Sequence, residues 1–198
     1  MRLTDSEFRG MNNALRRFFQ RRLEFPVFQW LGLHAEGQDI LEVGCGSGYG
    51  AVLLMGLRPK TYAGIDLMPE MIDLAKKREL PHAEFLAMDA ADLSHFADAS
   101  KDLVVVFGIL HHIPKWREVV RECFRVLRPG GRLFLEEPTV TAITVWDSIF
   151  HWGHPKEALF TRQELEEHLT SVGFSLSGHR GLLGFWSFCF VKDREGQQ

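Results

Sequence analysis

The apolar positions of the chain change rhythm twice, near residue 38 and again after Glu137. In the first stretch Leu15, Phe18, Phe19 and Leu23 recur at helical spacing with Arg16, Arg17, Arg21 and Arg22 between them, and Thr4 with Glu7 has capping-box spacing. One or two amphipathic helices are predicted over residues 5 to 33, interrupted at Pro26. From Asp39 the rhythm becomes one of short, nearly unbroken apolar runs: Asp39 to Val43, Thr61 to Ile65, Glu84 to Ala87, Leu103 to Phe107 and Arg132 to Leu135. Such runs lack the alternation of a half-solvated strand and fit parallel strands covered on both faces. Helical stretches at 49 to 57, 69 to 79 and 115 to 127 separate them, the last closed by Arg128-Pro129-Gly130-Gly131, which reads as a stop and turn.

After Glu137 an aromatic and histidine-rich stretch runs from Thr141 to Phe160, followed by a helix opened by the capping box Thr161-Arg162-Gln163-Glu164 and ended by Gly173. Phe174 to Ser177 and Phe185 to Val191 then predict a hairpin with its turn near 178 to 184. The sum is an α/β fold: a doubly wound, mostly parallel, Rossmann-like seven-stranded sheet with helices on both faces and a C-terminal antiparallel hairpin.

Composition narrows the function classes. A chain of 198 residues with 45% apolar content forms one domain with a sizeable core. Its 23 basic residues against 26 acidic ones leave a net charge of −3, so no field over the whole protein favours nucleic acid, and none is expected as a partner. Cys45, Cys123 and Cys189 have neither metal-ligand nor disulfide spacing, no metal is expected, and a reducing cytoplasm suits them. The N-terminus lacks the layout of a secretory signal, and no apolar run reaches the roughly 18 residues of a membrane span.

The segment with the most chemistry is Ile40-Leu41-Glu42-Val43-Gly44-Cys45-Gly46-Ser47-Gly48-Tyr49-Gly50, a buried strand entering a glycine-rich turn and then a helix. A ligand can lie against such a main chain, facing the unpaired N–H groups of a helix N-terminus. A dinucleotide fingerprint needs G-x-G-x-x-G, but the sixth position is Tyr49 counting from Gly44 and Ala51 counting from Gly46. What stands here is E-x-G-x-G-x-G, and it resembles the first motif of the class I S-adenosylmethionine-dependent methyltransferases, in particular the small type 11-like domains. Further segments follow in that family's order over about residues 38 to 191: Ala63-Gly64-Ile65-Asp66, Phe85-Leu86-Ala87-Met88-Asp89-Ala90, Phe107-Gly108-Ile109-Leu110-His111-His112-Ile113-Pro114 and Leu127-Arg128-Pro129-Gly130-Gly131-Arg132-Leu133.

The resemblance implies a cofactor, S-adenosylmethionine, released as S-adenosylhomocysteine. Its amino-acid tail is expected at Glu42, Gly44, Cys45, Gly46 and Gly48, its ribose at Asp66, and its adenine at Asp89 and Ala90 with Leu67 and Met68 packed on it. Met68 stands where relatives often carry a small polar cap. Phe107 belongs to the segment beneath the sulfonium methyl. Methyl transfer is an in-line displacement that needs alignment, exclusion of water and removal of any proton on the acceptor. His111 or His112 is the candidate base; support of the strand end without proton transfer is the other reading of the pair.

On the acceptor side, His112, Glu137, Trp146, His151 and His154 are the candidate contacts; one of Glu136 and Glu137, just past the fifth strand, is a candidate contact to acceptor or cofactor, with solvation the default reading of both. Within 1–198 the expected parts are a helical cap (1–37), a cofactor-binding core (38–137), a substrate-side lid (138–160) and a terminal helix and hairpin (161–198). The expected acceptor is a small molecule, quinone-like, phenolic or a lipid head group. The basic, aromatic N-terminal segment covers the cofactor, clamps an anionic acceptor, touches a membrane surface transiently, or is a solvated face. A monomer or homodimer is expected. Two rival readings stay open: a nucleoside-cofactor enzyme with other chemistry, and a non-catalytic S-adenosylmethionine-binding module.

Overall fold

A computed structural model describes residues 14–150, 155–182 and 184–193, with the side chains of Trp146 and Phe150 outside that description. The N-terminal segment is one continuous helical rod: α1 (Ala14–Phe19), a π-helical turn (Gln20–Glu24) and α2 (Phe25–Trp30). Pro26 does not interrupt it. The ring sits in the first turn of α2, where its missing N–H is tolerated, directly after the wider π turn.

The sheet contains β1 (Asp39–Val43), β2 (Thr61–Asp66), β3 (Ala83–Ala87), β4 (Lys101–Phe107), β5 (Leu127–Pro138), β6 (Phe174–Leu182) and β7 (Phe185–Lys192) in the order β3-β2-β1-β4-β5-β7-β6. The pairs through β5 are parallel, and β7 runs antiparallel between β5 and β6. The seven-stranded, doubly wound sheet predicted from the apolar runs is therefore present. Burial of all five residues of β1 and of Leu103–Phe107 in β4 accounts for the missing alternation, since helices cover both faces.

The crossover helices are α3 (Tyr49–Met55), α4 (Pro69–Lys76) and α5 (Trp116–Val126). In α5, Trp116, Val119, Val120, Cys123 and Val126 fall on one face and are buried. Each such side chain contributes roughly 1.5–3 kcal/mol of burial. One apolar layer joins α5 and the C-terminal helix α7 (Arg162–Val172) to the sheet, and the other joins α2, α3 and α4 to the opposite face. Between β5 and α7 lies α6 (Val140–Phe150).

Two boundaries differ from the sequence reading. Arg128-Pro129-Gly130-Gly131 is not a turn between elements but the irregular start of β5, where Lys101 pairs with Leu127 and the register shifts before Leu103 meets Arg132. Pairing with the edge of β4 begins as soon as α5 ends, which local turn preference does not reveal. The hairpin turn is also shorter, because β6 continues through Leu182 against β7. The capping box at Thr161 is complete: Thr161 Oγ1 accepts from Glu164 N at 3.2 Å and Glu164 Oε2 accepts from Thr161 N at 2.7 Å.

Candidate active site

The strand order reverses direction between β1 and β4, so the loops at their carboxyl ends diverge and leave a crevice, the place where open α/β sheets bind ligands. On one side of it is the glycine turn after β1. Its first two amides, of Gly44 and Cys45, both donate to Ile65 O at 2.9 Å, which ties the turn to the end of β2. Gly46 has φ +51°, and a Cβ added there would meet no atom within 4 Å, so the main chain at this point faces open space. Gly50 does the opposite, since a Cβ there would lie 2.1 Å from Glu42 Oε1.

Asp66, half-buried at the end of β2, organises the turn. Its Oδ2 accepts from Gly46 N at 3.0 Å and its Oδ1 from Met68 N at 2.9 Å, leaving acceptor capacity on each oxygen. Burial raises its pKa, and the two amides pull it back. Glu42 lies beneath the turn rather than in the crevice: it is 2% exposed and its Oε2 accepts from the Tyr62 hydroxyl at 2.5 Å. Burial pushes its carboxyl up to about 8, against that hydrogen bond. Cys45 likewise contributes main chain only, its thiol being buried and raised well above the usual range by desolvation. Arg78 Nε fastens the far side of the turn by donating to Ser47 O at 2.6 Å.

The other expected cofactor residues lie along the same edge. Leu67 is 47% exposed, a large apolar side chain presented next to Asp66. Met68 precedes α4 without a side-chain cap, as its departure from the usual small polar residue implies. Asp89 is exposed and Ala90 buried; Asp89 Oδ1 accepts from Ala91 N at 2.9 Å, and Met88 N donates to Asp66 O at 3.0 Å, linking the β3 loop to β2. Phe107 turns its ring away from the edge and stacks on Phe28, with centroids 5.1 Å apart.

Across the crevice, Gly108 N donates to Glu136 O at 2.8 Å, and Ile109 packs against Gly44. A single turn of 3-10 helix, Leu110–His112, follows. Glu137, 2% exposed, holds it: Oε1 accepts from Ile109 N at 3.1 Å and Leu110 N at 2.8 Å, and Oε2 lies 2.7 Å from His111 Nδ1. Burial pushes the Glu137 carboxyl up to about 8, while the amide donors oppose the shift. Those donors need lone pairs, so they favour the proton shared with His111 on the ring nitrogen, leaving Nε2 as its basic atom. His112 is buried beside it, the ring centroids 4.1 Å apart.

Solvation, the default expectation for Glu136 and Glu137, is corrected by their positions: both are 2% exposed. Arg16 also departs from the solvated-face reading. It pairs with both oxygens of Glu24 at 2.6 and 2.7 Å, whereas Arg17, Arg21 and Arg22 are exposed. Glu24 is the site residue that sequence reasoning missed, since a lone acid on a basic helical stretch carries no local signal. His151, His154 and the side chain of Trp146 lie outside the described residues. A cavity of about 230 Å³ opens next to Glu137, walled by Pro138, Val140, Phe160, Trp186 and Phe188.

The turn therefore fits the amino-acid tail of S-adenosylmethionine at the open main chain of Gly46, with Asp66 able to accept from ribose hydroxyls. In sequence and fold the chain is similar to known methyltransferases. Residues 41–135 match the family model described as "Methyltransferase domain". The chain is 33% identical over 157 residues to the "Probable S-adenosylmethionine-dependent methyltransferase" of Mycolicibacterium smegmatis, covering 79% of this chain and 59% of that protein. It is 36% identical over 150 residues to the phthiotriol/phenolphthiotriol dimycocerosates methyltransferase of Mycobacterium tuberculosis, covering 74% and 55%. The chain thus spans less than two thirds of the length of these curated relatives. Among solved structures, a SAM-dependent methyltransferase from Methanosarcina mazei superposes with a TM-score of 0.68 at 27% identity, over 86% of this chain and 98% of that one.

Proposed function

Because the chain belongs to the class I S-adenosylmethionine-dependent methyltransferase family, we propose that it transfers a methyl group to a small lipophilic or aromatic acceptor, quinone-like, phenolic or a lipid head group. The observation that carries the reading is the crevice whose floor is open main chain at Gly46 and whose wall is Asp66. S-adenosylmethionine, when bound, supplies an electrophilic methyl group on a sulfonium. Gly44 to Gly48 hold its amino-acid tail, Asp66 its ribose hydroxyls, and Leu67, Met68, Asp89 and Ala90 its adenine.

The remaining tasks fall to the β4 and β5 ends. Glu137 fixes the 3-10 turn and orients His111, whose Nε2 takes the proton from the acceptor hydroxyl as its oxygen attacks. His112 and Glu137 border the acceptor, and the aromatic cavity takes its apolar part. Exposed apolar side chains at this end support a lipophilic acceptor: Val145 and Ile149 of α6 are 48% and 62% exposed, and Leu15 and Phe18 of α1 61% and 57%. The name of the mycobacterial relative points the same way. The alternation of Leu15 and Phe18 with exposed Arg17 and Arg21 also supports transient contact with an anionic membrane surface, from which such an acceptor would be drawn.

Calorimetry with S-adenosylmethionine and NAD, followed by S-adenosylhomocysteine release with phenolic and lipid acceptors in detergent, tests the proposal. Binding of the sulfonium cofactor alone and turnover of apolar acceptors are expected. Binding of NAD instead would overturn the cofactor assignment, and turnover confined to hydrophilic acceptors would overturn the acceptor class.

A further inference from the structure

Glu136 has a place in this molecule that the proposed mechanism does not use. Phe134 packs with Phe28 and Phe107 on the α2 face of the sheet. Side chains alternate along a strand, so Glu136 faces the same way, beside Phe107 in register and under the N-terminal rod. It is 2% exposed, and its Oε1 is buried with no hydrogen-bond partner among the described residues.

Among the described residues, the groups around it do not neutralise it. From the N-terminal rod Glu24 and Arg16 face it, and both oxygens of Glu24 are occupied by Arg16. Glu137 follows it on its own strand, while its register partners are Phe107 on β4 and Ser187 on β7. Arg16 therefore balances Glu24 and leaves Glu136 as the surplus acid. A buried carboxylate without a partner is expensive to ionise; such a group either takes up a proton or awaits a cation.

The crevice beside it is where a cation is expected. Gly108, whose amide donates to the Glu136 carbonyl, has only that oxygen, at 4.0 Å, near the position of a Cβ, so the edge in front of it is open. We propose that Glu136 is the countercharge for the sulfonium centre of the cofactor, held at the β4 and β5 edge. The assignment rests on the functional reading above.

The buried, unpartnered Oε1 and the neighbouring Glu24 charge favour the protonated form of Glu136 in the free protein, holding its carboxyl well above the usual range. An arriving positive charge favours the carboxylate, and the proton leaves to solvent. After methyl transfer the cofactor sulfur is neutral, Glu136 regains a proton, and the site loses its preference for what it holds. Glu136 is thus a positioning residue that distinguishes S-adenosylmethionine from S-adenosylhomocysteine.

Titration calorimetry at pH 7 in phosphate and in Tris, whose ionisation enthalpies differ, reads the proton directly. The wild type is expected to release protons on binding S-adenosylmethionine and none on binding S-adenosylhomocysteine. Glu136→Gln should abolish that release and cut the preference for the sulfonium ligand on the order of tenfold, leaving S-adenosylhomocysteine affinity in place. Glu24→Gln leaves Arg16 unbalanced, so Glu136 is already ionised and the release shrinks; this variant carries the test if Glu136→Gln does not fold. Sulfonium binding without proton release, or an unchanged preference in Glu136→Gln, overturns the inference alone. Failure of the wild type to bind either ligand overturns the functional reading and the inference with it.

Discussion

The two sides of the crevice are made differently. At β1 and β2 the contacts are mostly main chain: amides of the glycine turn meet the last residues of the neighbouring strand, and one carboxylate, Asp66, closes the circuit. At β4 and β5 the geometry is set by buried ionisable side chains, with Glu137 fixing a turn 26 residues away and Arg16 pairing within the helical rod above. Main-chain contacts persist through most substitutions, so the first side is suited to a ligand that never changes. Side-chain pairs can be exchanged one at a time, so the second side is the one that single substitutions can remodel.

The comparison is sharpest under substitution. Glu137→Ala strips the acceptor from the amides of Ile109, Leu110 and His111 and from the His111 ring, and should cost on the order of 3 kcal/mol or more in chemical denaturation. A cost below about 1 kcal/mol would mean the second side is not held by its charges. Asp66→Ala removes a charged acceptor from ligand and turn together, so S-adenosylmethionine affinity should fall roughly tenfold to a hundredfold, measured by calorimetry. Undiminished affinity would show the ribose lies elsewhere.

A third test asks whether the main-chain side conceals a titrating group. The Glu42 carboxyl is raised to about 8 in the folded chain, well above its unfolded value, so its stabilisation is complete at low pH and is lost as pH rises from the unfolded value toward 8. Glu42→Gln removes that slope: between pH 5 and pH 8 the stability difference should move in favour of the variant, by on the order of 2 kcal/mol. Parallel pH profiles for both proteins would refute this. The smallest effect is expected at Gly46→Ala, where the left-handed backbone costs about 1 kcal/mol of stability while the new methyl enters the crevice. Affinity should fall by more than stability alone accounts for.

What the sequence made legible follows the same division. Unbroken apolar runs announced the parallel core because burial on both faces abolishes alternation; the glycine turn was readable because its residues act within one strand-turn-helix unit, and Asp66 because it closes the next apolar run. The pairing of Glu137 with His111, and the burial of Glu24 and Glu136, were not readable, because a charged residue in isolation is more often solvated and its partner is supplied by tertiary packing. The start of β5 was misread for a related reason: Arg128-Pro129-Gly130-Gly131 has turn chemistry, but the neighbouring β4 edge pairs with it.

The position of β7 has a consequence for the order in which the molecule is assembled. This strand follows β6 in sequence but lies between β5 and β6, so β6 has no sheet neighbour among the described strands until it arrives. On the ribosome, β1 to β4 emerge well before Phe185, whereas Trp186 and Phe188 complete the wall of the cavity beside Glu137 only once β7 has been made. A nascent chain can thus assemble the glycine turn and Asp66 before the cavity beside Glu137 is walled in.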